Sequence, residues 1–345
     1  DRVSRGLGDV YKRQMYYIEK SFNKRWAGVL FAALMMICAI GSGNMPQINN
    51  IASVLDSTFS IPKLATGLIL GVMLWMIIAG GIKRIAKIAS KLVPIMAVIY
   101  FGGALVVVAE NYQNIIPSFH SIFSQVFSGS AAAGGFLGAS FAMSLKLGVA
   151  RGLYSNEAGQ GSSPIAHASA KAEHSVEQGM VSILEPFIDT IVVCSVTALV
   201  ILSSGAWTQK YDNTFERSSM AIFAGSYAES NSKDVEELGK YILDARNFTS
   251  DTTNVENFTG SLDLIDGQLQ KQNVTVFHNN SIAEDVIFYQ GGEPVSGLLE
   301  ISDGKVADSS VRVEGKSLIH SAELTSKAFG SGVLGMYGEY IVAIG

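Results

Sequence analysis

Glu185 and Asp189 stand four residues apart in the apolar run SILEPFIDTIVVCSVTALVIL, so a helix would carry both carboxylates on one face. Ionisable groups at membrane depth are costly, and such a pair suits a proton relay or a cation ligand. It equally suits the first turns of a helix, where the N-terminus favours negative charge and water is near. A second polar group lies in GSGNMPQINN, where Asn44 and Gln47 are three apart and share a helix face. Pro46 lacks an N–H, so freed carbonyls and the two side-chain amides could meet a small polar solute. Asn44 also lies about 27 Å from Trp26 at ~1.5 Å per residue, so a helix end at the membrane interface explains the same residues. The third group is AAAGGFLG running into SFAMSLKLGVARG. Gly134-Gly135 weakens a helix by about 1 kcal/mol per glycine relative to Ala, and an unwound segment there would expose backbone groups to solute. Phe141, Ser144 and Gly148 follow at helical spacing and offer an aromatic wall, a hydroxyl and a gap. Packing of small residues between helices is the competing account.

Covalent chemistry is not indicated. The stretch RGLYSNEAGQGSSPIAH, residues 151–167, contains Gly159-x-Gly161 but neither a preceding strand nor a Lys-Ser/Thr ending, so it is not a phosphate-binding loop. Ser162, Ser163 and His167 lack the strand–turn–helix elbow that presents a nucleophile. His174 and Glu177 share a face without a third ligand, and two cysteines in the chain are too few for a structural zinc site. No cofactor and no nucleic-acid partner follows from the residues.

The elements that must position these groups are membrane helices. Of 345 residues 48% are hydrophobic and 16% charged, with a mean hydropathy of +0.29, too apolar for a soluble enzyme of this length. Five stretches are near the ~20 residues needed to span a bilayer: Trp26 to about Leu55, Leu64 to Ile82, Leu92 to Val108, Ala132 to Leu153 and Val181 to Leu202. The first is longer and is expected to tilt or break near Pro46. A sixth begins around Gly332. Lys20, Lys24 and Arg25, then Lys83, Arg84, Lys87 and Lys91, then Arg151 and Lys171 fall on alternate sides and mark the cytoplasmic face. Residues 205–320, with 18 acidic and 9 basic side chains, then lie outside. Their pattern predicts a small α+β domain: a helix over 235–246, strands at 274–277, 286–289 and 298–301, and turns at Gly291-Gly292 and Asp303-Gly304. Residues 1–14 carry no apolar run and read as a non-native leader. The expected division is 1–14, membrane helices over 15–204, the external insertion at 205–320, and a further span starting in 321–345.

RGLYSNEAGQGSSPIAHASAK, then QGMVSILEPFIDTIVVCSVTALVIL, resembles the characteristic stretch of the sodium:alanine (alanine or glycine:cation) symporter family. MYYIEKSF, GNMPQINN and GGFLGAS fall in matching order, and the likeness covers about 15–204 and resumes at 324–345. It implies an all-α membrane protein with a partial LeuT-like core of inverted repeats. The spans would be core helices three to seven, with the eighth beginning near the end. The first two helices would then lie outside this sequence. In that architecture the first and eighth helices carry much of the sodium site, so no cation ligand is named here.

The resemblance further implies that Asn44 and Gln47 wall an amino-acid pocket, and that Phe141 and Ser144 lie on a broken sixth helix packed against substrate. Ser155, Asn156, Glu157 and Gly159 belong to the family's hallmark loop, to which we assign a gate or hinge role. The expected function is sodium-coupled uptake of a small neutral amino acid, alanine or glycine, by alternating access. Its setting would be a bacterial cytoplasmic membrane, with the amino acid, sodium and the lipid bilayer as partners. A membrane-anchored sensor that uses the external domain is the rival from another class.

Overall fold

The computed structural model describes residues 14–128, 141–155, 180, 183–245, 254–270 and 273–344. They belong to two compact units. One takes in Asp1–Glu110, Gly148–Val200 and Thr325–Gly345, the other Asn111–Leu147 and Ile201–Leu324.

In the first unit, α1 (Gln14–Phe22) turns at Asn23, φ +48°, and packs on α2 (Arg25–Cys38). Gly28 permits this approach, because a Cβ there would lie 2.5 Å from the Met15 carbonyl oxygen. The chain then passes without interruption through a π-helical segment, Ala39–Asn44, into α3 (Met45–Phe59). The result is one apolar helix of 35 residues, Arg25–Phe59. Where a tilt or a break was expected near Pro46, the helix widens and continues. Proline has no N–H to return to the preceding turn and its ring crowds that turn's carbonyl; a π turn just before it makes room without ending the helix. Termination comes at Ser60, φ +54°, whose N–H bonds the Asp56 carbonyl, and Pro62 precedes α4 (Lys63–Ile78).

Helix α5 (Gly81–Glu110) has 30 residues, about 45 Å of rise, more than a bilayer core requires. Lys83, Arg84, Lys87 and Lys91, expected in a connecting loop, form its first turns instead. The helix from Ile183 to Ser204 comprises a second π segment, Phe187–Val193, followed by α8 (Cys194–Ser204). Its Thr197 hydroxyl donates to the Val193 carbonyl and lies 2.6 Å from the Tyr100 hydroxyl, which therefore donates to it and ties α5 to α8. By length and composition Arg25–Phe59, Arg84–Glu110 and Ile183–Ser204 can each cross a membrane, whereas α4, with 16 residues, is shorter. Near the end of the chain, α10 (Ser321–Gly330) and α11 (Met336–Ile344) form a hairpin. Tyr340 stacks on Phe59 at 5.0 Å, and Phe329 lies 5.1 Å from the Tyr100 ring.

The second unit contains α6 (Ile115–Ser128) and the start of α7 (Phe141–Ser155). Beyond residue 205 it holds α9 (Ser232–Ala245) and, among the described residues, three four-stranded antiparallel sheets. In the first, β1 (Tyr211–Thr214) pairs with β12 (Val311–Ser317), then β8 (Glu284–Gln290) and β9 (Glu293–Pro294). The second orders β11 (Lys305–Val306), β10 (Gly297–Ser302), β4 (Gly260–Ile265) and β5 (Gln268–Leu269). The third orders β3 (Glu256–Asn257), β2 (Met220–Ala224), β6 (Val274–His278) and β7 (Ser281–Ile282). The described residues of 205–320 thus hold one α-helix and twelve strands, where the pattern led us to expect one helix and three strands. Four two-residue turns, Asp266-Gly267, Asn279-Asn280, Gly291-Gly292 and Asp303-Gly304, have positive φ at both positions. That is the type I′ geometry that matches strand twist, and it fixes each hairpin register.

Alternation along the strands builds two cores. Ile222 and Val276 point into a cluster with Leu262, Phe288, Ile301 and Val313, where the three sheets meet. Their neighbours Phe223 and Phe277 point the other way, onto Leu238 and Ile242 of α9.

Candidate functional site

Asn44 is the last residue of the first π segment, and Gln47 lies in the first turn of α3. Gln47 is exposed on this chain. A cavity of about 740 Å³ flanks the same helix, lined by Met36, Ile40, Met45, Asn49 and Lys63 among others. Met45, Ile48, Asn49 and Ala52 make its α3 wall, the i, i+3, i+4, i+7 stripe of one helix face. At 100° per residue Gln47 is on the opposite side of that helix, so the cavity and the Gln47 amide are separate features. The π geometry itself has a functional reading, since wide turns leave backbone groups off the i→i+4 ladder and concentrate at functional sites.

Phe141 and Ser144 lie in the first turn of α7, and Gly148 lies farther along it, with open space where a Cβ would be. Phe141 and Ser144 fall in the second compact unit, and Asn44, Gln47 and Gly148 in the first. The glycine-rich segment before α7 lies outside the described residues. In the hallmark loop, Ser155 is the last residue of α7, while Asn156, Glu157 and Gly159 also lie outside the described residues.

Glu185 is exposed and Asp189 half-buried, and Pro186 stands between them at the entrance to the second π segment. The Cys194 N–H returns to the Asp189 carbonyl, five residues back. Asp189 is therefore part of a widened turn instead of an ordinary α turn. Both π segments adjoin a proline: Ala39–Asn44 precedes Pro46, and Phe187–Val193 follows Pro186. Among the described residues no cluster of three or more His, Cys, Asp or Glu side chains is placed to hold a metal ion.

One contact that sequence reasoning missed fastens the first unit. Both Glu110 carboxylate oxygens accept from the Val333 N–H, at 3.0 and 2.9 Å. Gly332 makes room for this, because a Cβ there would be 2.7 Å from the Glu110 carboxyl carbon. A lone glutamate at the end of an apolar run carries no signal that its partner lies 223 residues away.

The sequence profile of the sodium:alanine symporter family matches residues 5–231, well over half of the chain. A protein of Bacillus subtilis (strain 168) called uncharacterized transporter YflA is 41% identical over 203 residues, 59% of this chain and 43% of its own length. The sodium/alanine symporter AgcS of Methanococcus maripaludis is 42% identical over 202 residues, 57% of this chain and 44% of its own. The probable sodium/glutamine symporter GlnT of Bacillus subtilis (strain 168) is 41% identical over 192 residues, 56% and 39%. The chain spans about two-fifths of the length of these curated relatives.

Proposed function

Since the chain belongs to the sodium:alanine symporter family, we propose that it forms part of a secondary transporter that takes up a small neutral amino acid, alanine or glycine, together with sodium. The observation that carries this is the family match over residues 5–231, which contains every polar element read from the sequence as solute-facing: 41–50, 131–148 and 151–189. Relatives named as sodium/alanine and sodium/glutamine symporters support sodium as the coupled ion and leave the amino acid to experiment.

The mechanism we infer is alternating access in a LeuT-like core. An outward-open state would bind sodium and amino acid, and closure would follow only when both sites are filled, so that coupling lies in the different affinities of the two states. Widened turns beside Pro46 and Pro186 support this reading, because non-α backbone inside a spanning helix is tolerated where it meets a polar cavity or protein. Gln47 and Asn44 would hydrogen-bond the solute, and Phe141 would limit its size. Basic residues at the start of α5 support a cytoplasmic location for that end, which by alternation makes residues 205–320 external.

The test is uptake of radiolabelled alanine, glycine and glutamine by the full-length gene product in proteoliposomes, with sodium or potassium outside. Sodium-dependent alanine uptake is expected. Uptake indifferent to sodium removes the coupling, and no uptake of any of the three favours the sensor reading. Gln47→Ala is expected to raise the apparent KM for alanine several-fold, to the extent of one lost polar contact of about 1 kcal/mol. Unchanged kinetics would reject its place in the pocket.

A further inference from the structure

His278 closes β6 and is buried in the β-rich unit, with 2% of its surface exposed. Its ring stacks on Phe215 with centroids 4.4 Å apart. Each ring nitrogen is engaged. Nε2 accepts the backbone N–H of Glu216 at 3.3 Å and lies 3.0 Å from Ser219 Oγ, and Nδ1 lies 2.8 Å from Ser317 Oγ on β12. The Glu216 N–H can only donate, so Nε2 must be the unprotonated nitrogen and the proton belongs on Nδ1. The ring is held neutral by its partners.

These bonds are part of a larger polar staple between the β6–β7 hairpin and the end of β12. Asn213 Nδ2 donates to Ser317 Oγ at 3.0 Å, and Ser281 Oγ accepts the Leu318 N–H at 3.0 Å. Asn279 Nδ2 donates to the Leu318 carbonyl at 3.2 Å, and the His320 ring meets the Asn279 carbonyl at 3.0 Å. All four hold residues 317–320, the stretch that leads directly into α10.

We propose that His278 is an acid-operated lock on this exit: a proton on Nε2 leaves an imidazolium buried against the Glu216 N–H, and so favours the state in which the ring reaches water because residues 317–320, held to it through Ser317, have left the β6–β7 hairpin. The step is a single proton transfer from solvent to Nε2. The new N–H then faces the Glu216 N–H, donor against donor. The Ser219 oxygen can accept from one of them, and the Phe215 face tolerates the charge, but the Glu216 N–H loses its acceptor and the imidazolium is buried. The groups around it do not compensate. Glu216 presents its backbone, Ser219, Ser281 and Ser317 are neutral, and His320, the charged group felt most, repels a second cation. Burial, and after it the His320 charge, push the imidazole down to about 4 from 6.5. Between those values the unlocked state binds more protons than the locked one. Locking is therefore undiminished above about pH 6.5, weakens as pH falls, and levels off below about 4.

Hydrogen exchange of the full chain in nanodiscs tests this, read by mass spectrometry on peptides covering 211–223, 274–283 and 311–320 and corrected for intrinsic exchange. From about pH 7.5 to about 4.5 the opening constant of these peptides is expected to rise roughly 70-fold, approaching roughly 300-fold at lower pH. Peptides of α9 serve as the internal reference. His278→Asn, which cannot titrate in this range, is expected to flatten the profile. Should that variant fail to fold, His320→Gln is used: removing the repelling charge should let His278 take its proton more readily in the locked state, and so reduce the rise in opening between pH 7.5 and pH 4.5, each variant being referred to its own value at pH 7.5. A flat wild-type profile, an equal slope in His278→Asn, or a steeper one in His320→Gln overturns the lock. None of these outcomes bears on sodium-coupled uptake, which is measured separately.

Discussion

Replacing Gly338 by alanine is the most direct challenge to the packing of the α10–α11 hairpin. In the folded chain a Cβ at this position would be pressed onto the Phe329 carbonyl, 2.5 Å from its carbon and 3.0 Å from the Gly330 nitrogen. The obstacle is backbone, so no side-chain rotation relieves it, and the two helices must separate. Separation disturbs the Lys327–Glu339 ion pair at 2.9 Å and the stacking of Tyr340 on Phe59. Overpacking of this kind costs about 1–3 kcal/mol. It is offset by up to about 1 kcal/mol from the better helix propensity of alanine. The net expectation is a loss of about 1 kcal/mol, or about 2–4 °C in Tm for a unit of this size. Gly71→Ala is the matched control, since that glycine has no heavy atom within 4 Å of its Cβ position and should gain only the propensity term. Thermal unfolding of the two variants in one detergent gives the comparison. If Gly338→Ala unfolds at or above the temperature of Gly71→Ala, the close approach of α10 and α11 is wrong.

Two further perturbations act elsewhere in the chain. Glu110→Gln keeps one acceptor for the Val333 N–H but removes its charge, so it should cost about 1 kcal/mol and speed exchange of the Val333 amide; an unchanged exchange rate would show that the carboxylate does not hold residues 331–335. Gly304→Ala puts a Cβ into a turn position with φ +70°, 3.0 Å from Asn257 Oδ1 and 3.1 Å from the Ile222 carbonyl, and should loosen the β10–β11 hairpin by about 1–2 kcal/mol. Faster exchange confined to β2, β3, β10 and β11 is the expected signature, and uniform protection would contradict the turn assignment.

The legibility of the β-rich unit followed element length. Runs at 274–277, 286–289 and 298–301 read as strands because alternating apolar residues filled at least four positions, and they lie within β6, β8 and β10. The partners β5, β7, β9 and β11 have two residues each, too few for any period to show. Turn chemistry was the better guide: Gly291-Gly292 and Asp303-Gly304 were readable as turns, and Asp266-Gly267 has the same signature. Asn279-Asn280 has a weaker one, since two asparagines reach positive φ less readily than a glycine does. His278 was not legible at all, because a histidine ending an apolar strand takes its meaning from Ser219 and Ser317, 59 and 39 residues away.

In the helical unit the polar residues were legible in the sequence, and the backbone form that proline takes among them was not. One apolar run holds Pro46, where the sequence predicts a tilt or a break, and another holds Pro186 between two carboxylates. In the structure each adjoins a π segment of six or seven residues, and both helices continue. The physical reason is continuity of apolar burial. Ending a helix within hydrocarbon leaves carbonyls and N–H groups without partners at several kcal/mol each, whereas a π turn shifts most of them by one residue and keeps them bonded. Local propensity favours a break, and the solvent forbids it. The widened turn is what satisfies both, and it places Asn44 and Asp189 inside the only two described stretches whose backbone departs from the α ladder within a spanning helix.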